Sequence, residues 1–293
     1  MDVVYICHGL GNQMSQYAFY LKKKEEGVNV DYLCWGSHHN GIELDKLFGI
    51  DVKISIYKYL LLVLYHVMIT PRLPFFMKPL KIFLRVLGVN IVMENKNYGY
   101  NPQFVKDGGH PLTFYNGGFH HWKYFEGVEQ KIRDQYVFPE FKNPKNIQVS
   151  GEAEAEQSVA IHIRRGDYLD PNTYKTYGAV CDENYYQQAI VFFEKKISNP
   201  IFYIFTNDME WARNFMQDKN IVCVDWNKKE DSWADMALMS KFKNIIIANS
   251  TFSWWAAWLG VSNKNVVCPP YLVNKDESTD IFPPYWHHIK LGN

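Results

Sequence analysis

The chain opens on an apolar run, Val3-Val4-Tyr5-Ile6-Cys7, that suits a buried strand. It then turns at Gly9 and Gly11 into a stretch of helical periodicity ending near Gly27. Val28 to Cys34 reads as the next strand, so the chain begins with a β-turn-α-β unit. Residues 42 to 94 read as largely helical and apolar. Residues 97 to 125 read as loop-rich, with Gly99, Gly108, Gly109, Gly117 and Gly118 set among Tyr98, Tyr100, Phe114, Tyr115, Phe119, His120, His121 and Trp122, a composition suited to lining an open cleft. From residue 158 the alternation becomes regular. Strands are predicted at 158 to 163, 201 to 206, 221 to 225, 244 to 248 and 265 to 268, with helices at about 183 to 197, 209 to 217, 231 to 242 and 252 to 260.

Strands alternating with helices predict an α/β fold whose parallel sheet is covered on both faces. The polar stretch from Asn143 to Gln157, with Glu152, Glu154 and Glu156, is the best candidate boundary, dividing the chain into 1–150 and 151–293. There is no internal repeat and no low-complexity segment.

Composition narrows this picture in three ways. Thirty-one Lys and Arg balance thirty-one Asp and Glu, so no overall field points to nucleic acid and any basic patch is local. The five cysteines are scattered without a C-x-x-C pair and read as reduced, buried thiols of a cytoplasmic protein; Met1 followed at once by Asp2 and a strand gives no signal-peptide pattern. The apolar stretch from Tyr59 to Ile69 is too short to span a bilayer and ends before Pro71 and Pro74, so a buried helix is expected. Lys78, Lys81 and Arg85 among the apolar residues that follow leave open a membrane-surface patch.

The chemistry concentrates just after predicted strands. The strand ending at Ile163 stops at Arg164-Arg165-Gly166-Asp167. The strand 201 to 206 ends in Thr206-Asn207-Asp208, and the strand 244 to 248 stops at Asn249-Ser250-Thr251-Phe252-Ser253. In an open parallel sheet such loops gather at one edge, where ligands bind. Arginine can hold two phosphate oxygens, amides and carboxylates suit ribose or a base edge, and a Ser/Thr turn opening a helix offers hydroxyls and N–H groups to an anion. Together they suggest a nucleotide pyrophosphate site. Plainer readings stand beside it: a surface Arg-Arg-Gly-Asp turn with a local ion pair, and Ser250 and Asp208 as simple N-caps. Trp254 and Trp258 share a helix face and read as core, and Asp235 reads as helix packing or capping. His120 and His121 have no ligand partner at metal spacing, so no metal is assigned.

Two other function classes remain. Gly9 and Gly11 are the first two glycines of a dinucleotide fingerprint, but Met14 stands at the third, which supports an NAD-dependent oxidoreductase only weakly. The aromatic segment 97 to 125 would suit a non-catalytic glycan- or nucleotide-binding module.

Three blocks carry a resemblance: Gly9-Leu10-Gly11-Asn12-Gln13-Met14 with Gln16-Tyr17-Ala18, His162 through Tyr168, and Asn249 through Trp255. In order and spacing they resemble the bacterial α-1,2-fucosyltransferases of glycosyltransferase family 11, over nearly the whole chain. The chain departs from that pattern at His8, where glycine is expected, and at Ser15, where a large apolar residue is usual. The resemblance implies a GT-B-like pair of Rossmann-like domains facing across a cleft. The first would be acceptor-side with a helical insert, and the second would bind GDP-fucose.

It further implies inverting transfer of L-fucose from GDP-β-L-fucose to the 2-hydroxyl of a terminal β-galactoside. GDP-fucose is then a substrate, and there is no cofactor and no essential metal. The acceptor would be a surface glycan such as O-antigen, carried on lipid at the inner membrane face by a cytoplasmic or peripheral enzyme. Arg165 would take the β-phosphate and Arg164 support the loop, with Ser250 and Thr251 sharing the phosphates. Asn207 and Asp208 would lie near the nucleoside, Asn12 near the fucose or phosphates, and His162 and Phe252 with the donor. Asp167 is either the base for the acceptor hydroxyl or only the arginines' counter-ion.

Overall fold

The computed structural model describes residues 1–36, 39–72, 74–95, 97–260, 264–274 and 281–289. The chain divides into two compact units, Met1–Val137 and Phe138–Asn293.

In the first unit, β1 (Asp2–Ile6), α1 (Leu10–Glu25) and β2 (Val30–Cys34) follow the expected β-turn-α-β order. Then come α2 (Leu44–Phe48), α3 (Ile56–Ile69), α4 (Lys78–Val86), β3 (Val89–Met93), β4 (Leu112–Asn116) and α5 (Glu129–Gln135). The four strands form one parallel sheet, ordered β2-β1-β4-β3. Two of its strands differ from the sequence expectation. β3 ends a region read as helical, because the helical apolar run of α4 leads almost directly into it and hides the change of period. The break is Gly88, whose φ of +81° ends the helix. β4 lies inside the segment read as loop, because its five residues are flanked by glycines and proline.

Strand alternation sorts the two faces of this sheet. Phe114 joins a buried cluster with Val3, Tyr5, Leu33 and Val89, which α3 covers with Leu61, Leu62, Tyr65 and Met68 and α4 with Leu84. Tyr115, its neighbour, faces the other way and meets Phe19 of α1 at 5.8 Å between ring centres. The first-block glutamines brace the turn before α1. Gln13 donates to the carbonyls of His8 (2.7 Å) and Gly41 (2.8 Å), and Gln16 accepts from the Cys7 N–H (2.9 Å) and donates to the Gly117 carbonyl (2.8 Å). His8, the departure from the family pattern, sits at φ +70°, a left-handed conformation that explains why glycine suits this position. A buried ion pair, Lys23 Nζ to Asp2 Oδ2 at 2.8 Å, pins α1 to β1; the same ammonium donates to the carbonyls of Phe104 (2.7 Å) and Lys106 (2.5 Å).

The second unit begins earlier than the expected 150/151 division. The polar stretch is not a linker but α6 (Pro144–Glu152), capped by the Asn143 side chain, which accepts from the Lys145 N–H. Asn146 on α6 exchanges hydrogen bonds with Asn227 and accepts one from Trp226 Nε1 (2.7 Å), so this helix is fastened to the second unit by buried amides. After it come β5 (Ser158–Ile163), a short α7 (Pro171–Thr173), α8 (Glu183–Lys196), β6 (Ile201–Thr206) and α9 (Met209–Phe215). They are followed by β7 (Ile221–Val224), α10 (Trp233–Lys241), β8 (Asn244–Ile246), α11 (Thr251–Leu259), β9 (Asn265–Cys268) and β10 (His287–His288). The sheet is parallel throughout and ordered β10-β9-β8-β5-β6-β7. Counted from β5 that is the dinucleotide-fold order, with its reversal between β5 and β8. β10, two residues long, carries no sequence signal. Trp254, Trp255 and Trp258 of α11 are buried, and the Trp254 indole donates to the Ile281 carbonyl at 3.0 Å, so these rings are core.

Asp235 on α10 accepts from Asn227 Nδ2 at 2.8 Å, and burial raises its carboxyl from 3.8 to about 7. The folded chain therefore holds a proton that the unfolded chain loses between those values, and the associated stabilisation is full at low pH and lost as pH rises through about 7. Asp235→Asn keeps an acceptor for Asn227 and has no proton to lose. It is expected to raise the melting temperature by several degrees at about pH 8 and to leave it nearly unchanged at about pH 4. Thermal denaturation of both proteins across that range checks this.

Candidate active site

β5 is buried along its length and paired on both sides, Ile163 with Thr206 of β6 and Ile161 with Ile246 of β8. The segments that follow these three strands are the three motifs, so the sheet brings them to one edge. α8 fixes that edge from beneath: the buried Tyr186 hydroxyl donates to the His162 carbonyl at 3.3 Å, and Tyr185 donates to the Ile247 carbonyl at 2.5 Å. Both bonds satisfy main-chain acceptors where the ladder ends.

The arginine loop is held from the β6 side. The Arg165 N–H donates to Asn207 Oδ1 (3.0 Å), and Arg165 Nε donates to Asp208 Oδ2 (3.3 Å). The Arg165 guanidinium also lies 4.0 Å from the Trp211 ring centre, in cation–π geometry. Its two Nη groups make no hydrogen bond among the described residues, so the fork is oriented but uncommitted. Arg164 turns to Asp167, donating from Nη2 to Oδ2 at 2.8 Å, while Asn207 Nδ2 donates to Asp167 Oδ1 at 3.2 Å. Both Asp167 oxygens are thus already acceptors. A Cβ at Gly166 would sit 2.5 Å from Asn207 Nδ2, so the glycine leaves room for that amide where it now lies.

From the β8 side, the Tyr168 hydroxyl donates to the Asn249 carbonyl at 3.1 Å, and the His162 and Phe252 rings lie 5.8 Å apart. Asn249 donates from Nδ2 to the carbonyls of Tyr177 and Leu272, both at 3.0 Å. Ser250 caps α11, its hydroxyl accepting from the Phe252 N–H at 3.3 Å, and Thr251 opens that helix. Asn12 lies in the first unit, half-buried in the first turn of α1.

Unpaired buried atoms mark this edge. His162 Nδ1, Arg164 Nε and Asn249 Oδ1 are buried without a hydrogen-bond partner. Orphaned buried polar atoms are costly in a finished interior and are expected where a ligand completes the set. Burial, with Arg164 nearby, lowers the His162 imidazole to about 3, so the ring is neutral at physiological pH and adds no charge of its own. What the edge presents is one oriented guanidinium fork, a second arginine tied to a carboxylate, and a helix N-terminus, an arrangement that can hold an anion.

Sequence reading missed Trp211, which fixes the plane of Arg165; its signal was its place three residues after the capping Asp208. It also missed Glu94 in the first unit. Glu94 directly follows β3 and accepts at Oε2 from the N–H groups of Gly118 (2.7 Å) and Phe119 (2.8 Å), while its buried Oε1 has no partner. Burial raises that carboxyl to about 7. His120, expected as polar packing, is buried and lowered to about 3, chiefly by burial. Among the described residues, no group of three or more His, Cys, Asp or Glu is placed to hold a metal ion.

Comparison with known proteins gives the chain a family. An α-1,2-colitosyltransferase of Escherichia coli is 29% identical over 293 residues, covering 96% of this chain and 95% of its own length. The human galactoside α-(1,2)-fucosyltransferase 1 is 25% identical over 209 residues, 68% of this chain and 55% of its own length. For the fold alone, a crystal structure of a NodZ α-1,6-fucosyltransferase co-crystallised with GDP matches 88% of this chain and 92% of its own, with a TM-score of 0.50 at 12% identity. The model of glycosyl transferase family 11 matches residues 62–290, which takes in the whole arginine edge and the later part of the first unit, and the chain belongs to that family.

Proposed function

We propose that the protein transfers L-fucose from GDP-β-L-fucose to the 2-hydroxyl of a terminal β-galactoside, with inversion to an α-1,2 linkage. The acceptor is a glycan carried on lipid at the inner membrane face, and the first unit is the acceptor side. The observation that carries the reading is the uncommitted fork of Arg165, stacked on Trp211 and bonded to Asp208 at the strand edge of a Rossmann-order sheet. The acceptor oxygen attacks the anomeric carbon as the bond to the β-phosphate oxygen breaks. The electron pair leaves with GDP, and the hydroxyl proton passes to a base. Fixed positive charge on the departing pyrophosphate is then the largest available stabilisation.

In this reading Arg165 is the catalytic residue and Arg164 supports it, with Ser250, Thr251 and the α11 N-terminus sharing the phosphates. His162 and Phe252 line the donor, and Asn12 serves the fucose or phosphates. Asn207 and Asp208, expected beside the nucleoside, also orient the Arg165 backbone and fork. Asp167 is a positioning residue rather than the base, because both its oxygens already accept from Arg164 and Asn207.

The direct test is release of GDP from GDP-fucose on lactose or N-acetyllactosamine with EDTA present; no release, with or without added divalent metal, overturns the reading. A second arm uses GDP-colitose, because the relative matched along nearly its full length is a colitosyltransferase. Release with that donor alone changes the sugar and keeps the site. Thermal stabilisation by NAD and not by GDP would instead favour an oxidoreductase.

Arg165→Ala is expected to lower the rate by on the order of a hundredfold or more, and Arg165→Lys to recover little of it, since an ammonium lacks the fork and the flat face that Trp211 holds. Steady-state kinetics with both variants checks this. Asp167→Asn is expected to cost only about tenfold in kcat with the pH profile unchanged. A general base in that position would cost about a hundredfold to ten-thousandfold and take the acid limb of the profile with it.

A further inference from the structure

The helical layer of the first unit has two apolar sides, and the protein covers only one. α3 buries Leu61, Leu62, Tyr65 and Met68 against the sheet, but Ile56, Tyr59, Leu60 and Val63, at positions i, i+3, i+4 and i+7, form a second apolar stripe that is exposed. α4 repeats this. Leu84 is its buried residue, while Ile82, Phe83 and Val86 stand in solvent, with Val86 79% exposed. The turn between the helices carries Phe75 and Phe76, 82% and 70% exposed. Lys81 Nζ donates to the Thr70 carbonyl at 2.9 Å, joining α4 to the end of α3. Because both helices cover the same face of the sheet, their uncovered sides look outward together.

Charge says what covers this layer. Residues 54 to 87 contain Lys58, Arg72, Lys78, Lys81 and Arg85 and not one Asp or Glu. Lys58 is taken by Asp31 at 3.4 Å and by the Tyr32 ring, but Arg72, Lys78 and Arg85 are exposed. On α4 the basic positions 78, 81 and 85 follow helical spacing beside the apolar positions 82, 83 and 86. A two-fold contact with a second copy would set this basic set against itself with no carboxylate to answer it. A surface of anionic headgroups over hydrocarbon matches both the charge and the apolar side chains, and no described helix is long and apolar enough to cross a membrane.

We propose that the outward side of α3 and α4, with Phe75 and Phe76 between them, is a docking face for an anionic phospholipid surface. Phe75, Phe76, Ile82, Phe83 and Val86 enter the headgroup–acyl boundary, and Arg72, Lys78 and Arg85 meet the phosphates. The inference goes beyond the transfer chemistry and is read without it, so failure of one leaves the other standing.

Sedimentation with phosphatidylcholine vesicles, with and without phosphatidylglycerol, tests it. The protein is expected to pellet with the anionic vesicles, to be released by high salt and to stay in solution with phosphatidylcholine alone. Phe75→Ser/Phe76→Ser and Lys78→Glu/Arg85→Glu are each expected to weaken vesicle binding about tenfold or more with the melting temperature unchanged, since all four side chains are exposed. The proposal is overturned if the unaltered protein stays in solution with anionic vesicles, or if both double variants pellet as it does. It is also overturned if the face mediates a concentration-dependent dimer that Ile82→Glu dissociates.

Discussion

The second unit depends on the position of β5. It is the strand at which the sheet order reverses, so the chain leaves β5 and β8 on different courses and the edge between them opens. The core records this: α8 joins the cluster formed with Val159, Ile161 and Ile163, and no residue of α11 belongs to it. Everything placed at that edge inherits its rigidity from two parallel ladders and from two buried tyrosines that take up the main-chain acceptors where those ladders end. The arginines begin one residue beyond the last buried position of the strand, so their backbone is fixed before any side-chain contact is counted.

On that base the side chains are arranged so that charge is oriented without being cancelled. Asp208 takes one Arg165 donor and Trp211 its flat face, and neither covers the fork. Arg164, by contrast, is neutralised in place by Asp167. Two adjacent arginines thus have different work, one presenting charge and one holding shape, and Asn207 links the two through its amide. The lack of a side chain at Gly166 lets that amide approach closely enough. Groups held in this way need little rearrangement when an anion arrives, which is where preorganised electrostatics gains over water.

Much of the second unit was legible in the sequence because parallel strands buried on both faces are written as continuous β-branched runs, and the helices between them start at visible caps such as Asp208 and Ser250. The three motifs could be placed at one edge from topology alone. Pairing within them could not: nothing in the order Arg164-Arg165 says which arginine meets Asp167 and which meets Asp208. In the first unit the short strands β3 and β4 were obscured, one by the helix leading into it and one by its glycine-rich flanks. The polar stretch before β5 read as a boundary because only Val149 marks an apolar side: the other buried residue of α6 is an amide, Asn146, which meets Asn227 and Trp226, while Asn227 meets Asp235, contacts that hydrophobic periodicity does not register. Resemblance to family 11 supplied the donor, which the residues themselves narrowed only to a nucleotide pyrophosphate.

One property of the arginine edge has an evolutionary side. Every hydrogen bond described for Arg164, Arg165, Asp167, Asn207, Asp208 and Asn249 is made within residues 138 to 293, and the first unit closes its own interior with the Asp2–Lys23 pair. Substitutions in the first unit's own interior therefore remove none of these hydrogen bonds. A lineage can vary the packing around the Asp2–Lys23 pair while the bonds that orient the two arginines are inherited intact.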